Sequence, residues 1–182
     1  MRANIFKASL LACLLSTTAL ADTSSIDTIG SVQGGMLWND YVKAGVNETT
    51  GTLGFDNRTS PGLLYDSTGT GTFNTSYDYL TPGSPFDGWS IKIDGSNSTN
   101  NNASSGAAAW LDSDGFTDGE NTLTWTGNNP AYSGWEVEHT YSLGATAEHI
   151  EIETGITAGS AADDVYFGRF IDPDAQAAAG DS

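Results

Sequence analysis

Residues 135–154 read WEVEHTYSLGATAEHIEIET and contain the clearest structural pattern in the chain. Apolar or aromatic residues alternate strictly with polar ones from 135 to 143, and the alternation resumes from 149 to 154 after the turn sequence Gly144-Ala145-Thr146. A period of two residues is typical of a β-strand with one buried face and one solvated face. The stretch therefore predicts an antiparallel hairpin with one apolar face and one strongly acidic face.

The pairing of this hairpin follows from the position of its turn. A turn at residues 145–146 places Tyr141 opposite Ile150 and Glu138 opposite Glu153. A slip of two residues would keep every side chain on its face, whereas a slip of one would bury the glutamates. We interpret the glutamates as a solvated outer face. The alternatives are a cation site or a pair of carboxylates.

The first 21 residues have the composition of a cleaved export signal. Arg2 and Lys7 precede the short apolar run at residues 8–15, and Ala19-Leu20-Ala21 matches a signal-peptidase site. We therefore expect residues 1–21 to be a signal peptide and residues 22–182 to form a single domain, either complete or part of a longer surface protein. A lipoprotein box at Leu10-Leu11-Ala12-Cys13, with its cysteine lipidated, is the alternative. Residues 22–182 contain no run of ~20 apolar residues, so we expect no transmembrane segment in the mature chain.

Charge excludes several classes of partner. The chain has 23 acidic and six basic residues, a net charge of −17, and every acidic residue lies after residue 21. Nucleic acids and anionic membranes are bound through clustered Lys and Arg, so we expect neither as a partner. The composition, poor in Lys and rich in Gly, Ser, Thr, Asn and Asp, is similar to that of secreted or cell-surface β-proteins of bacteria. We expect a secreted or surface location.

Short runs bounded by Gly, Pro and Asn predict about ten strands. The clearest runs are 31–38, 41–46, 71–80, 89–93, 107–111, 122–126 and 165–171. We interpret residues 22–30 as a polar lead-in and residues 94–106 as a Ser- and Asn-rich loop. Many short strands separated by closely spaced turns predict an all-β protein with an antiparallel β-sandwich, of which a jelly roll is one variant.

Residues 112–120 read DSDGFTDGE and form the strongest local motif. The segment resembles the calcium repeats of thrombospondin type 3 proteins over these nine residues, although no second repeat follows it and it departs from EF-hand spacing. Calcium takes six to eight oxygen ligands, which closely spaced carboxylates in a glycine-containing loop can supply. We expect Ca²⁺ at Asp112, Asp114, Asp118 and Glu120. The alternative is an acidic hairpin turn, because Asp-Gly is common in turns.

The last predicted strand carries a basic residue on an apolar face. Arg169 shares that face with Val165 and Phe167, whereas Tyr166 and Phe170 share the other face. A buried arginine is costly unless it is paired, so we expect a structural ion pair with Asp172, with Asp174 or with a hairpin glutamate. The strand and its Arg-x-x-Asp-Pro-Asp ending resemble sandwich domains of large bacterial surface and autotransporter-type proteins. That resemblance implies no activity.

Motifs of hydrolase triads, zinc proteases and nucleotide-binding loops are missing from the sequence. A glycosidase needs only two carboxylates, which no motif reveals. We assign no catalytic residue and no organic cofactor. Sugar-binding sandwiches stack pyranose rings on exposed aromatic side chains; we expect Trp38 and Tyr132 to be exposed, and Trp89, Trp135 and His139 to lie in the core.

Two functions fit these features. The first is a non-enzymatic surface protein with an adhesive or structural role, steadied by calcium, whose partner is a surface glycan or another surface protein. The second is a carbohydrate-binding module or a domain of a carbohydrate-active enzyme. Exposed aromatic side chains in a line would favour the second.

Overall fold

A computed structural model of the protein describes residues 24–29, 32–54, 60–80, 86–102, 109–112 and 116–173. These residues form thirteen β-strands and one short 3-10 helix, η1, at Thr75–Tyr77. The strands are β1 (Ser24–Ile29), β2 (Val32–Trp38), β3 (Val42–Asn47), β4 (Thr52–Leu53), β5 (Leu63–Tyr65), β6 (Phe86–Ile93), β7 (Ser96–Asn101), β8 (Leu111–Asp112), β9 (Thr117–Gly119), β10 (Thr122–Asn128), β11 (Glu136–Ser142), β12 (Glu151–Thr157) and β13 (Val165–Asp172).

The strands form three antiparallel sheets. The first runs β1-β2-β3-β4, with β5 also paired to β3. The second runs β12-β11-β10, and both β8 and β9 pair with the far edge of β10. The third is the three-stranded sheet β13-β6-β7. The prediction of an all-β, antiparallel sandwich is confirmed.

The core lies between the second and third sheets. Trp89 of β6 contacts His139 of β11 and Trp125 of β10, with ring centroids 5.0 and 5.7 Å apart. The first sheet closes one side of this core, because the Tyr141 hydroxyl donates a hydrogen bond of 2.8 Å to the carbonyl of Gly51. Trp89, Trp125, His139 and Tyr141 are all completely buried. The alternation of polar and apolar residues in the sequence thus identifies the core face correctly.

The central hairpin forms with the predicted faces but with a register shifted by two residues. Tyr141 pairs with Ile152 rather than Ile150, and Glu138 pairs with Gly155 rather than Glu153. The turn is wider than predicted: Ala147 N–H donates to Gly144 C=O, and β12 starts only at residue 151. The side-chain amide of Asn39 donates to the carbonyls of Gly144 and Ala147, at 2.8 Å each, and so holds the wider turn in place.

The predicted strand at 71–80 is wrong, because this segment is a loop containing η1. Two carboxylates accept hydrogen bonds from backbone N–H groups in this segment and just before it: Asp66 accepts from Thr68, Thr70 and Thr72, and Asp78 accepts from Gly62, Leu63 and Leu80. Such side-chain bonds to the backbone compete with strand pairing. The hydroxyl and N–H of Thr68 hold the pKa of Asp66 well below its usual range.

Two segments interpreted as irregular are strands. The predicted loop at 94–106 contains β7, which pairs with β6 across the two-residue turn Asp94-Gly95. Both turn residues have positive φ, 49° and 84°, as an Asp-Gly hairpin turn requires. The predicted lead-in at 22–30 contains β1, whose pairing with β2 supplies the regularity that its polar sequence does not show.

Candidate functional site

The predicted calcium residues lie along one edge of the second sheet. Asp112 ends β8 and pairs with Gly127, whereas Asp118 lies in β9 and pairs with Leu123. Asp118 and Glu120 are exposed, and Glu120 lies in the turn between β9 and β10. Asp114 and the side chain of Asp112 lie outside the described residues. Within the described ranges, no group of three or more His, Cys, Asp or Glu is placed to hold a metal ion.

The strand register shows how far apart Asp112 and Asp118 lie. Gly127 and Leu123 are four residues apart on β10, which separates Asp112 from Asp118 by about 13 Å along the strand. At calcium–oxygen distances of roughly 2.4 Å, one ion could join two aspartates at that span only if both side chains reached directly toward it. Calcium binding by residues 112–120 stays a prediction.

Arg169 is paired, as predicted, but its partner is Asp87 of β6 rather than Asp172 or a hairpin glutamate; Asp174 lies outside the described residues. The guanidinium donates through Nε and Nη2 to the two carboxylate oxygens of Asp87, and Nη2 also lies 3.0 Å from the Tyr141 hydroxyl. Asp87 is completely buried and also accepts a 2.6 Å hydrogen bond from Leu53 N–H. Burial raises the pKa of the Asp87 carboxyl, and the guanidinium and the Leu53 N–H oppose that rise.

His139 is a core residue, as predicted. It stacks on Trp125 at 5.4 Å, and its Nδ1 lies 3.0 Å from the Thr154 hydroxyl. Burial, with a smaller contribution from Arg169, lowers the pKa of His139 to about 3. His139 Nε2 is buried and has no hydrogen-bond partner among the described residues. This cluster packs the second sheet against the third, through the contact of His139 with Trp89.

Two exposed aromatic residues lie together on the outer face of the third sheet. Tyr166 is 60% exposed and Phe170 is 36% exposed. They lie on the same face of β13, opposite to the inward-facing Arg169 and Phe167. The predicted candidates differ: Trp38 is only partly exposed, and Tyr132 stacks on Trp110 at 5.7 Å with nearly parallel rings.

The pairing of β13, β6 and β7 arranges this outer face in three rows, which we call the platform. The rows are Tyr166-Lys92-Asn97, Gly168-Ser90-Thr99 and Phe170-Gly88-Asn101. The outer rows are about 13 Å apart and the strands about 4.8 Å apart. The middle row carries only small side chains, so it forms a shallow trough between the two aromatic residues.

Local packing fixes both ends of the platform. An added Cβ at Gly88 would lie 2.5 Å from the Phe170 ring, which shows that this ring rests directly on the glycine backbone. The Lys92 ammonium lies 5.9 Å from the centroid of the Tyr166 ring, within the range of a cation–π contact. At Gly168, between the two rings, an added Cβ would meet no atom within 4 Å. The trough is therefore open.

A second concave surface is an apolar cleft of about 440 Å³ between the first sheet and β12. Its lining includes Leu63, Leu64 and Ile152, and at its mouth the Tyr65 hydroxyl donates a 2.7 Å hydrogen bond to Glu148. Glu148 is the single carboxylate among the described residues that line it. The cleft thus lacks the carboxylate pair that a glycosidase of the usual kind uses.

No family model, no curated protein and no solved structure matches this chain. The described residues also include no helix with the length and hydropathy of a membrane span.

The sequence of β13 contains the signal for the platform. Tyr166 and Phe170 alternate with Arg169, so once the arginine pairs inward with Asp87 the two aromatic side chains must face outward. The missing information was the position of Asp87, which is 82 residues away in the sequence.

Proposed function

We propose that this protein is an exported, non-catalytic binding module that attaches to neutral glycans at the bacterial cell surface. The observation that carries the proposal is the platform, with Tyr166 and Phe170 exposed on one flat face and an open trough between them. This assignment combines the adhesive role with the carbohydrate-binding alternative, because a glycan is the partner in both.

The chemistry of the platform suits a sugar. Aromatic rings supply apolar area at low conformational cost and can pack against the C–H face of a pyranose. The hydroxyls of Ser90 and Thr99 and the amide of Asn97 lie beside the rings and can both donate and accept hydrogen bonds. An exposed patch of apolar rings bordered by polar groups is typical of an interaction site.

Charge favours a neutral glycan over an anionic one. None of the nine residues in the three described rows is acidic, and Lys92 is the one charged side chain among them. Its ammonium already contacts the Tyr166 ring. The chain as a whole has a net charge of −17, which repels anionic polymers at long range.

Calorimetric titration with hexasaccharides of neutral sugars, namely glucose, xylose and mannose, tests the proposal. We expect one of them to bind with a dissociation constant in the micromolar to millimolar range. Tyr166→Ala should weaken that binding about tenfold or more, equivalent to about 1.4 kcal/mol. Tyr77→Ala is the matched control, since Tyr77 is 52% exposed and lies in η1, outside the platform.

Two results would contradict the proposal. Equal loss of binding in both tyrosine variants would place the glycan elsewhere or show a general effect of losing an exposed ring. Absence of binding to all neutral hexasaccharides would leave a purely structural surface role as the better explanation of the fold.

A further inference from the structure

Strand β13 is paired along only one of its edges by the part of the chain that the structure describes. Its partner there is β6, which pairs with all eight of its residues. Natural proteins usually protect such an edge with proline, a bulge or charged side chains, including inward-pointing ones. The sequence VYFGRFID contains neither proline nor lysine, and the charge of its inward-pointing Arg169 is neutralised by Asp87. Val165, Tyr166, Phe170 and Ile171 are 36–60% exposed.

The pattern of backbone hydrogen bonds identifies the groups on this free edge. Asp94 N–H donates to Asp164 C=O, so the pair 94–164 is hydrogen-bonded across β6 and β13. Hydrogen-bonded pairs alternate with non-bonded pairs in an antiparallel ladder. The backbone groups of even-numbered residues of β13 therefore face β6, and those of Val165, Phe167, Arg169 and Ile171 face away from it.

We propose that β13 pairs with β13 of a second copy of this chain, antiparallel and centred on Gly168. In this arrangement Phe167 bonds to Arg169 of the second copy, and Val165 bonds to Ile171. Tyr166 lies opposite Phe170 of the second copy at a non-bonded pair, where cross-strand side chains approach most closely. The third sheet of each copy then becomes half of one continuous sheet with the order β7-β6-β13-β13-β6-β7.

The arrangement of residues in β13 favours a second copy over a foreign strand. Tyr166 and Phe170 are symmetric about Gly168, so a two-fold axis there matches aromatic with aromatic on both sides. The guanidinium of Arg169 is neutralised within its own chain by Asp87. The centre of the edge thus carries little net charge, in a protein whose charge is −17.

Electrostatics predicts how salt affects this pairing. The same register places Asp164 opposite Asp172 of the second copy at each end, and the two chains repel each other overall. Salt screens both effects, with a Debye length of about 10 Å at 0.1 M and about 3 Å at 1 M. Association should therefore strengthen with NaCl, whereas a contact held by opposite charges would weaken.

Sedimentation equilibrium of the whole chain at 10–500 µM, in 0.05 and 0.5 M NaCl, measures the association. We expect a monomer–dimer equilibrium with a dissociation constant at least threefold lower at the higher salt concentration. Gly168→Glu places two like charges at the two-fold axis without crowding the monomer, since no atom lies within 4 Å of an added Cβ. It should abolish dimers, and Gly168→Ser should retain them.

A cross-linking experiment tests the register. In a Cys13→Ser background, Gly168→Cys brings two thiols together across the axis, at a Cα separation of roughly 4.5 Å, which a disulfide can span. We expect a disulfide-linked dimer under mild oxidation. Ser96→Cys, which is exposed at the start of β7 in the same sheet, should stay monomeric.

The proposal is overturned if the wild-type chain is monomeric up to 500 µM at both salt concentrations. It is equally overturned if Gly168→Glu dimerises as the wild type does, since the contact would then lie elsewhere. Glycan binding is measured on monomer at low concentration, so its failure and the failure of dimerisation are separate results.

Discussion

The ion pair between Arg169 and Asp87 lies within the third sheet and contacts the other two sheets through Tyr141 and Leu53 N–H, so it offers the sharpest test of what holds the sandwich together. Replacing Arg169 by Met keeps an unbranched apolar stem but removes the guanidinium. Asp87, which has no solvent exposure, then keeps only backbone donors such as Leu53 N–H. The Tyr141 hydroxyl loses its contact with Nη2 and keeps its hydrogen bond to Gly51.

The expected cost follows from the burial of Asp87. Removing one partner of a buried ion pair destabilises a protein by about 3–5 kcal/mol, because the remaining charge is desolvated and uncompensated. For a domain of about 150–250 residues, 1 kcal/mol corresponds to roughly 2–4 °C in Tm. We therefore expect Arg169→Met to lower the Tm by about 6–20 °C.

The double variant Asp87→Asn/Arg169→Met removes both charges. It therefore separates the loss of the ion pair from the cost of leaving the Asp87 carboxylate buried without a partner. The asparagine side chain introduced in that variant carries no charge, and its carbonyl oxygen can still accept from Leu53 N–H. Replacing both ions is often nearly neutral, so the double variant should recover at least about 1 kcal/mol of the free energy of unfolding lost in Arg169→Met. Urea unfolding at pH 7 measures both values. A double variant less stable than Arg169→Met would refute the reasoning, as would a loss below about 1 kcal/mol in the single variant.

Three further predictions concern other features of the fold. The pKa of His139 is about 3 in the folded protein and about 6.5 in the unfolded chain, so its contribution to stability is complete above pH 6.5 and is lost as the pH falls toward 3, by about 1.4 kcal/mol per pH unit. Urea unfolding at about pH 4.5 and about pH 6.5 should therefore show a smaller change in the free energy of unfolding for His139→Gln than for the wild type, and an equal change would contradict this role of His139. Gly51→Ala should lower the free energy of unfolding by about 2 kcal/mol or more, because φ is +58° and the added Cβ would overlap the indole ring of Trp125. Gly95→Ala is the control: φ is +84° but the added Cβ would meet open space, so the loss in the same assay should be about 1 kcal/mol. If residues 112–120 bind calcium with a dissociation constant of ~0.5 mM, CaCl₂ at ~5 mM should add about 1.4 kcal/mol to the free energy of unfolding relative to EDTA and raise the Tm by about 3–6 °C. MgCl₂ should cause no rise, and neither should CaCl₂ in Asp118→Asn; equal melting temperatures in EDTA and CaCl₂ would leave the segment as a turn.

Sequence periodicity predicted those parts of the fold in which burial alone sets the pattern. The run from Trp135 to Leu143 alternates because β11 packs one face on the core, and the structure buries Trp135, Val137, His139 and Tyr141 as expected. The register of the hairpin was not predictable in the same way. It depends on Asn39, more than 100 residues away, whose amide holds the turn at 144–147.

The errors have a common physical cause. The alternating segment at 71–80 is not a strand: η1 forms at its centre, and the N–H groups of Thr72 and Leu80 donate to Asp66 and Asp78 instead of to a partner strand. The polar segment at 96–101 is a strand, because the turn at Asp94-Gly95 brings it alongside β6. In both cases local hydrogen bonds and turn geometry outweigh the hydrophobic pattern.

The same ion pair that closes the core also creates the candidate binding surface. By drawing Arg169 inward, Asp87 fixes which face of β13 is buried, and the strict alternation of the strand then turns Tyr166 and Phe170 outward. The platform and the free edge of β13 therefore depend on one buried contact. In Arg169→Met this contact no longer holds β13 in its orientation. Glycan binding and dimerisation should therefore weaken in that variant together with its stability, and both should recover in part in the double variant.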